Sequence, residues 1–407
     1  MIRNELMLEQ TPQLRTAGTS PEVELLLSCA RTRTNPEISQ RIREAAQKKI
    51  DWVQFIRLAL DHDALSLSYC NLHRVCPDIV PGGVLEPLRV RHEAGVAERR
   101  RLAEELVGIV GFFDTQGIPA VPYKGPALAV RLYGDLSLRG FSDLDVVICE
   151  RDALRARQLL IDRGYMPTER VENGKLKEYL RKHHEMPFCR VDGKVHLDLH
   201  WRYTSRSTCL AGDPERFHRE LETVSMAGKK VRSLRLETYL LVLSMHAAKH
   251  KWSQLKLICD IAEILAAPDL DWGYVLHEAR DLGLRRALGT SLLLAQGLLG
   301  AGVPPRLAQE LKIDRTAKAL ATQACTSLFE ETGQSWRAEP DYTFELALRE
   351  RFRDRLKIFL RYFFPKLKPN ERDRAFLPLP GALSVGYYVV RPLRLALKKM
   401  GRTTPLH

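Results

Sequence analysis

In the segment SDLDVVI, residues 142–148, polar and apolar residues alternate over residues 143–146 and an apolar run follows, which predicts a β-strand. Asp143 and Asp145 share one face of the strand, because successive side chains point to opposite faces. Two carboxylates beside an apolar core repel each other and are costly to bury, so a cation is expected between them. Mg²⁺, which prefers oxygen ligands, is the candidate, although a solvated strand end gives the same pattern. Without metal, replacing either aspartate with asparagine is expected to stabilise the fold.

A hairpin is predicted at Asp192-Gly193, between two strand-like runs of the segment HEMPFCRVDGKVHLDLHW, residues 184–201. Asp-Gly is typical of a two-residue type I′ turn, and such a turn fixes the register of the two arms. The predicted pairs are Cys189 with His196, Pro187 with Asp198, and Glu185 with His200. Because proline cannot donate a hydrogen bond to a neighbouring strand, Pro187 indicates an edge strand.

Asp198 lies in the middle of the second arm, on the face opposite the arm's apolar residues. It repeats the pattern of Asp145, a carboxylate at mid-strand with apolar residues on the other side. If the two strands are neighbours, three carboxylates meet there. Such a cluster is typical of a two-metal site for in-line phosphoryl transfer.

The segment before the DxD strand predicts a phosphate-binding turn. A strand candidate over residues 118–123 breaks at Lys124-Gly125, and a helix follows over residues 126–133, with Pro126 in its first turn. Gly125 lets the backbone come close to a phosphate, and N–H groups at the start of the helix can point at anionic oxygen. Lys124 is either a phosphate contact or a solvated residue at the strand end.

In this order, the strand, glycine turn, helix, DxD strand and later single-Asp strand resemble the DNA polymerase beta-like nucleotidyltransferase fold. More narrowly, YKGPALAVRLYGDLSLRGFSDLDVVI, VHLDLHW and HAAKHKWSQLKLICDIAEIL are similar to the uncharacterised bacterial nucleotidyltransferase family. The resemblance extends roughly from residue 22 to the C-terminal segment. The wider superfamily has Gly-Ser after the first strand, whereas this chain has Lys124-Gly125, as is typical of the narrower family.

The resemblance implies an α+β fold, in which a small mixed sheet with flanking helices is embedded in a mainly α-helical protein. It implies that Asp143, Asp145 and Asp198 are catalytic and hold Mg²⁺, or Mn²⁺, with Asp198 best placed as the general base. For Arg139 a salt bridge to the aspartate pair is the alternative to a phosphate contact. The implied nucleotide-binding residues are Lys124, Gly125, Arg139 and Ser142.

Helices are predicted before and after this core, over residues 21–117 and 214–330. Asp51 is the predicted N-cap of one helix, and its DW-x₆-A spacing recurs at Asp271. This recurrence is either a chance similarity between two helix starts or a sign of two related helical hairpins on either side of the sheet.

The third motif lies in a helical segment over residues 236–267. His246, Lys249 and His250 lie at i, i+3 and i+4 on one face, and Asp260 is expected to return close to that face. The histidine spacing also suits metal ligands, but the glutamate of a zinc protease motif is absent. These four residues either contact the nucleotide or acceptor, or form hydrogen bonds within the helical bundle.

The composition of the chain limits its expected cellular location and its expected binding partners. The 407 residues carry a net charge of +13 and contain no apolar run of membrane-spanning length. The eight cysteines include no CxxC pair, and the N-terminus lacks a signal-peptide core, so reduced thiols and a cytoplasmic protein are expected. The charge suits nucleic acid or an anionic membrane, but solvated arginines on helix faces explain it as well.

Five regions are predicted along the chain. Residues 331–407 are basic and amphipathic, and residues 384–400 within them either pack on the protein or contact a membrane or partner; packing is favoured. The regions are a disordered N-terminus (1–20), an N-terminal helical region (21–100), the nucleotidyltransferase core (101–205), a helical bundle (206–330) and the C-terminal segment (331–407).

The predicted function is Mg²⁺-dependent transfer of a nucleoside monophosphate from an NTP to an acceptor hydroxyl, with release of pyrophosphate. A small-molecule or saccharide-type acceptor is favoured. Two alternatives stay open, a transferase acting on a macromolecule such as tRNA or a protein hydroxyl, and a non-catalytic scaffold with a degenerate site. Retention of three clustered carboxylates argues against the scaffold.

Overall fold

The computed structural model describes residues 20–204, 214–307, 309, 315–330, 341–367, 371–378, 380, 386–388, 390, 391 and 394. They belong to two compact units, Met1–Glu339 and Pro340–His407. The N-terminal segment predicted to be disordered lies outside the described residues, except for Ser20.

The first unit opens with helices, as predicted. Asp51 accepts hydrogen bonds from the N–H groups of Val53 and Gln54, at 3.0 and 3.1 Å, and so caps the third helix. The fifth helix is the longest of these and carries Pro87 inside it. The bounds are α1 (Pro21–Cys29), α2 (Pro36–Ala46), α3 (Trp52–Asp61), α4 (Leu65–Val75) and α5 (Gly82–Thr115).

A mixed five-stranded sheet follows, which confirms the predicted α+β class. Its strands are β1 (Val121–Pro122), β2 (Asp143–Val147), β3 (Tyr165–Pro167), β4 (Glu185–Arg190) and β5 (His196–His200). The order across the sheet is β1-β2-β5-β4-β3, with β2 and β5 parallel and the other pairs antiparallel. The helices between the strands are α6 (Gly125–Leu128), continued by a π-helical turn (Ala129–Tyr133), α7 (Ala153–Asp162) and α8 (Leu176–Lys182).

The hairpin register is confirmed in all three predicted pairs, because Glu185, Pro187 and Cys189 face their expected partners on β5. The prediction that Pro187 marks an edge strand is wrong, since β4 lies between β5 and β3. The Pro187 carbonyl accepts the Thr168 N–H at 3.0 Å, but the proline has no N–H to return. The ladder to β3 therefore ends beside it, and the proline shortens the outer strand instead of lying on it.

The apolar faces of β2 and β5 belong to one buried cluster with α5. Leu144, Val146 and Leu197 are fully buried there, together with Leu106 and Phe113 of α5. Burial of each such side chain stabilises the fold by roughly 1.5–3 kcal/mol. The acidic positions of the two strands consequently face away from this core.

A two-stranded sheet and a helical bundle complete the first unit. Helix α9 (Pro214–Phe217) precedes the antiparallel strands β6 (Leu221–Met226) and β7 (Lys229–Leu234). The bundle helices are α10 (Leu236–Lys249), α11 (Leu255–Leu265), α12 (Trp272–Leu282), α13 (Arg285–Leu299) and α14 (Arg315–Leu328).

Residues 236–267 do not form one continuous helical face, contrary to the prediction. Lys251 and Trp252 both adopt φ of 52°, which ends α10 and redirects the chain into α11. The Trp252 ring is fully buried, and its indole N–H donates to Ser291 Oγ at 2.9 Å. Packing of this one side chain holds a backbone conformation that non-glycine residues seldom adopt.

The two DW segments share more than their sequence. Asp271 caps α12 by accepting the Tyr274 N–H at 2.9 Å, as Asp51 caps α3. In addition, the N–H of Asp51 donates to Glu22 in the first turn of α1, and the N–H of Asp271 donates to Glu237 in the first turn of α10. This common hydrogen-bond pattern favours two related helical units over chance similarity.

The described part of the second unit consists of α15 (Tyr342–Leu348), α16 (Phe352–Leu367), α17 (Glu371–Phe376) and short segments after it. Most of residues 384–400 lies outside the described residues, so packing of that segment on the protein stays a prediction. Among the described helices, none is long and apolar enough to cross a membrane.

Candidate active site

The parallel pairing of β2 with β5 brings two of the predicted carboxylates together. Asp145 pairs directly with Asp198, and Val147 pairs with His200. Ligand atoms of Asp145, Asp198 and His200 all lie within 4.8 Å of one another. Two carboxylates at this separation can share one divalent metal ion.

Asp145 is the most enclosed of the carboxylates, with 2% of its side chain exposed. Lys124 Nζ lies 2.6 Å from its Oδ1, and His200 Nε2 lies 2.9 Å from the same oxygen. Burial by itself would raise the pKa of Asp145, but Lys124 and His200 outweigh it and hold that pKa well below its usual range. Asp145 is therefore ionised and firmly held.

Lys124 is not a solvated residue at a strand end. Its side chain is 16% exposed, and the charge of Asp145 raises the pKa of Lys124 even though burial alone would lower it. Gly125 follows with φ of 54°, and a Cβ there would lie 2.9 Å from the carbonyl oxygen of Asp143. Only glycine fits this close approach of the turn to β2.

Asp198 lies in the opposite electrostatic situation to Asp145. Burial, reinforced by the charges of Asp145, Glu185 and Asp143, raises the pKa of Asp198 to about 6. Asp143 is half-buried at the start of β2 and belongs to neither group of potential ligands found among the described residues. The site thus has a surplus of negative charge centred on Asp198, which favours a bound cation.

Asp198→Asn is expected to stabilise the metal-free protein. The carboxyl has a higher pKa in the folded chain than its usual 3.8, so the folded state binds more protons between about pH 4 and pH 6. Stability of the wild type therefore falls as pH rises through that window. Near pH 8 the variant should be more stable by about 2 kcal/mol, since one pKa unit is worth about 1.4 kcal/mol and solvent screens part of it.

Urea unfolding in the presence of a chelator measures this difference. Most of the gain should be lost by about pH 4, where the carboxyl is protonated in the folded wild type and about half protonated in the unfolded chain. A gain of equal size at both pH values would mean that the Asp198 charge is not its cause.

The structure adds His184 and Glu185 to the site, along with His200, none of which was predicted to have a role. Glu185 Oε2 lies 3.1 Å from His200 Nδ1 and 3.3 Å from His184 Nε2. These three side chains form a second group whose ligand atoms lie within 4.8 Å of one another. The hairpin register already placed Glu185 opposite His200 on the face of Asp198, so the sequence did contain the signal.

Arg139 and Asp260 are buried and paired with each other. The Arg139 guanidinium donates two hydrogen bonds of 2.8 Å to the Asp260 carboxylate, and Tyr133 OH donates a third at 2.7 Å. The predicted alternative, a salt bridge from Arg139 to Asp143 or Asp145, is wrong, because the salt bridge of Arg139 is with Asp260. Because Asp260 follows the break after α10, it lies on a different helix from His246 and His250. A contact of Arg139 or Asp260 with nucleotide stays a prediction.

The remaining predicted residues lie at the end of α10 and before β2. The rings of His246 and His250 lie 4.7 Å apart, and Lys249 Nζ lies 3.4 Å from His184 Nε2. Burial lowers the pKa of His250 to about 4 and that of His246 below its usual range, and the charge of Lys124 contributes to both. Both rings are therefore neutral at pH 7. Ser142 is exposed just before β2.

Comparison with known families agrees with this arrangement. The family model described as an uncharacterised nucleotidyltransferase matches residues 48–300, more than half of the chain. The chain belongs to this family and is a nucleotidyltransferase enzyme. None of the curated proteins compared with the chain matches it.

Proposed function

We propose that the enzyme transfers a nucleoside monophosphate from an NTP to a hydroxyl group of an acceptor and releases pyrophosphate. The observation that carries this proposal is the pairing of Asp145 with Asp198 across β2 and β5. That pairing places two carboxylates, one ionised and one more basic than usual, next to the Lys124-Gly125 turn. Phosphoryl transfer requires positioning and charge neutralisation more than covalent chemistry from the protein.

The acidic residues fit a divalent metal. The Asp198 carboxylate forms no hydrogen bond or ion pair with the described residues, and burial together with the nearby charge of Asp145 raises its pKa. Asp143, Asp145 and Asp198 would hold Mg²⁺ or Mn²⁺, and the ion would neutralise charge on the triphosphate and on the leaving pyrophosphate.

The side chains of the chain itself have distinct tasks. Lys124 and the turn at Gly125 contact the phosphates. Ser142, which is exposed at the end of the connection that leads into β2, also contacts the nucleotide. Arg139 fixes that connection through Asp260. Asp198 accepts the proton of the acceptor hydroxyl; in the metal-free protein burial raises its pKa to about 6, so it is a stronger base than an ordinary aspartate.

The acceptor binds on the side of α10, beside His246, Lys249 and His250. Two neutral imidazoles and one ammonium suit the hydroxyls of a small or saccharide-type acceptor, since neutral imidazole both donates and accepts hydrogen bonds. The cytoplasm is the proposed location, and free thiols such as those of the described cysteines would suit it.

Each of the four NTPs, labelled at the α-phosphate, should be incubated with the enzyme, Mg²⁺ or Mn²⁺ and fractions of a total cell extract. The proposal predicts label in a low-molecular-mass fraction with the wild type and none with Asp198→Asn. Label in RNA or protein, with binding that weakens steeply as salt rises, would identify a macromolecular acceptor instead. Absence of transfer with every nucleotide and fraction would contradict the proposal.

A further inference from the structure

Three potential metal-ligand atoms converge at the end of the β4–β5 hairpin away from its turn. They are His184 Nε2, Glu185 Oε2 and His200 Nδ1, and the carboxylate oxygen lies 3.3 and 3.1 Å from the two nitrogens. His200 is 2% exposed, and its Nδ1 has no hydrogen-bond partner among the described residues. A buried polar atom in this state requires a partner.

The other nitrogen of His200 indicates what that partner is. His200 Nε2 lies 2.9 Å from the Asp145 carboxylate, which can only accept, so Nε2 carries a proton. With Nε2 bonded to Asp145, Nδ1 is the nitrogen left to bind a further partner. The Glu185 oxygen lies 3.1 Å from Nδ1, yet the two atoms form no hydrogen bond. Two ligand atoms that lie this close without bonding to each other are compatible with a common cation.

We propose that His184, Glu185 and His200 form a site for a divalent transition-metal ion of the zinc class, separate from the Mg²⁺ site of the carboxylates. Two histidines and one carboxylate are a ligand set that selects such metals over Mg²⁺. With metal–ligand distances of about 2.0–2.2 Å, neighbouring ligand atoms lie roughly 3.0–3.5 Å apart, as the two measured contacts of Glu185 do.

The charges around the group are compatible with this site. Lys249 Nζ lies 3.4 Å from His184 Nε2, but Lys249 is exposed, so its ammonium can turn to solvent when a dication binds. On the inner side, the hydrogen bond from His200 to Asp145 is the carboxylate–histidine arrangement that orients a metal-binding imidazole. The ion would thereby fix the orientation of Asp145. The inference does not depend on nucleotidyl transfer, because its ligands and its test involve no nucleotide.

Co²⁺ is the probe, because its visible absorption reports ligand number and type. Untagged full-length protein, freed of metal by a chelator, should be titrated with Co²⁺ in the presence of excess Mg²⁺. We expect one Co²⁺ per chain, and affinity lower by at least about tenfold in His184→Ala and in Glu185→Gln. His196→Ala is the matched control, since His196 is an exposed histidine on the same strand as His200, and it should bind like the wild type.

Three results would overturn the site. The first is the lack of any Co²⁺ absorption change in the wild type, and the second is an affinity unaffected by both ligand variants. The third is loss of Co²⁺ binding in Asp198→Asn but not in His184→Ala, which would assign the ion to the carboxylate pair. Co²⁺ binding by a protein that transfers no nucleotide would refute the proposed function and leave this inference standing. Nucleotidyl transfer with Mg²⁺ by a protein that binds no Co²⁺ would refute this inference and leave the proposed function standing.

Discussion

Asp145→Asn is expected to abolish nucleotidyl transfer and also to lower the free energy of unfolding by about 3–5 kcal/mol. The substitution removes the partner of the Lys124 ammonium and of His200, both of which are largely buried. Breaking a buried ion pair on one side leaves an uncompensated charge, and losses of this size are typical. The loss of activity should be at least about a thousandfold, because a metal ligand and its charge disappear together.

Asp143→Asn is the matched control for this loss of stability. It lies on the same face of the same strand but is only half-buried, so its neutralisation should change the free energy of unfolding by less than about 1 kcal/mol. Its activity should nevertheless fall. Equal stability of Asp145→Asn and the wild type in urea unfolding would show that Lys124 does not depend on Asp145.

The second large effect is expected at the Arg139–Asp260 pair. Arg139→Met or Asp260→Leu should each lower the free energy of unfolding by about 3–5 kcal/mol, because the charge that remains buried loses its partner at 2.8 Å. Arg139 lies in the segment before β2 and Asp260 lies in α11, so the pair also fixes the position of the segment that leads into β2. The double variant Arg139→Met/Asp260→Leu should recover much of the loss, since no unpaired charge is then buried.

Unfolding in urea as a double-mutant cycle measures this coupling. Arg43→Met is the control, because the Arg43–Asp78 ion pair is exposed and should contribute less than about 1 kcal/mol. If the loss of unfolding free energy in the double variant equals the sum of the losses in the two single variants, Arg139 and Asp260 do not stabilise each other directly, which would contradict the prediction. A double variant that is stable but no longer binds NTP would show that Arg139 contacts the nucleotide as well.

The sequence was most informative where the pattern is local. The alternation around Asp145 and the Asp192-Gly193 turn were sufficient for β2, β5 and the hairpin register, since strand faces and hairpin turns depend on neighbouring residues. The same register contained the contact between Glu185 and His200. The pairing alone indicates no chemistry, because the burial of His200 and its contact with Asp145 follow only from the packing of β5 beside β2.

Long-range packing accounts for what the sequence did not reveal. Arg139 and Asp260 are 121 residues apart, and no local pattern pairs them. The break at Trp252 depends on a ring buried against Ser291, a contact that overrides the helical pattern of the segment. At Asp145 the structure reverses the expected sign of the stability change, because the sequence predicts the repulsion between the carboxylates but not the ion pair of Asp145 with Lys124.

Comparison of NTP labelled at the α-phosphate with NTP labelled at the γ-phosphate tests the central claim most directly. The enzyme should be incubated with each label, Mg²⁺ and cell extract, as the wild type and as Asp198→Asn. Transfer of a nucleoside monophosphate predicts that α-label appears on an acceptor, γ-label appears only in pyrophosphate, and neither is released by the variant. Transfer of γ-label to an acceptor, or α-label transfer at full rate by Asp198→Asn, would contradict the assignment of this site.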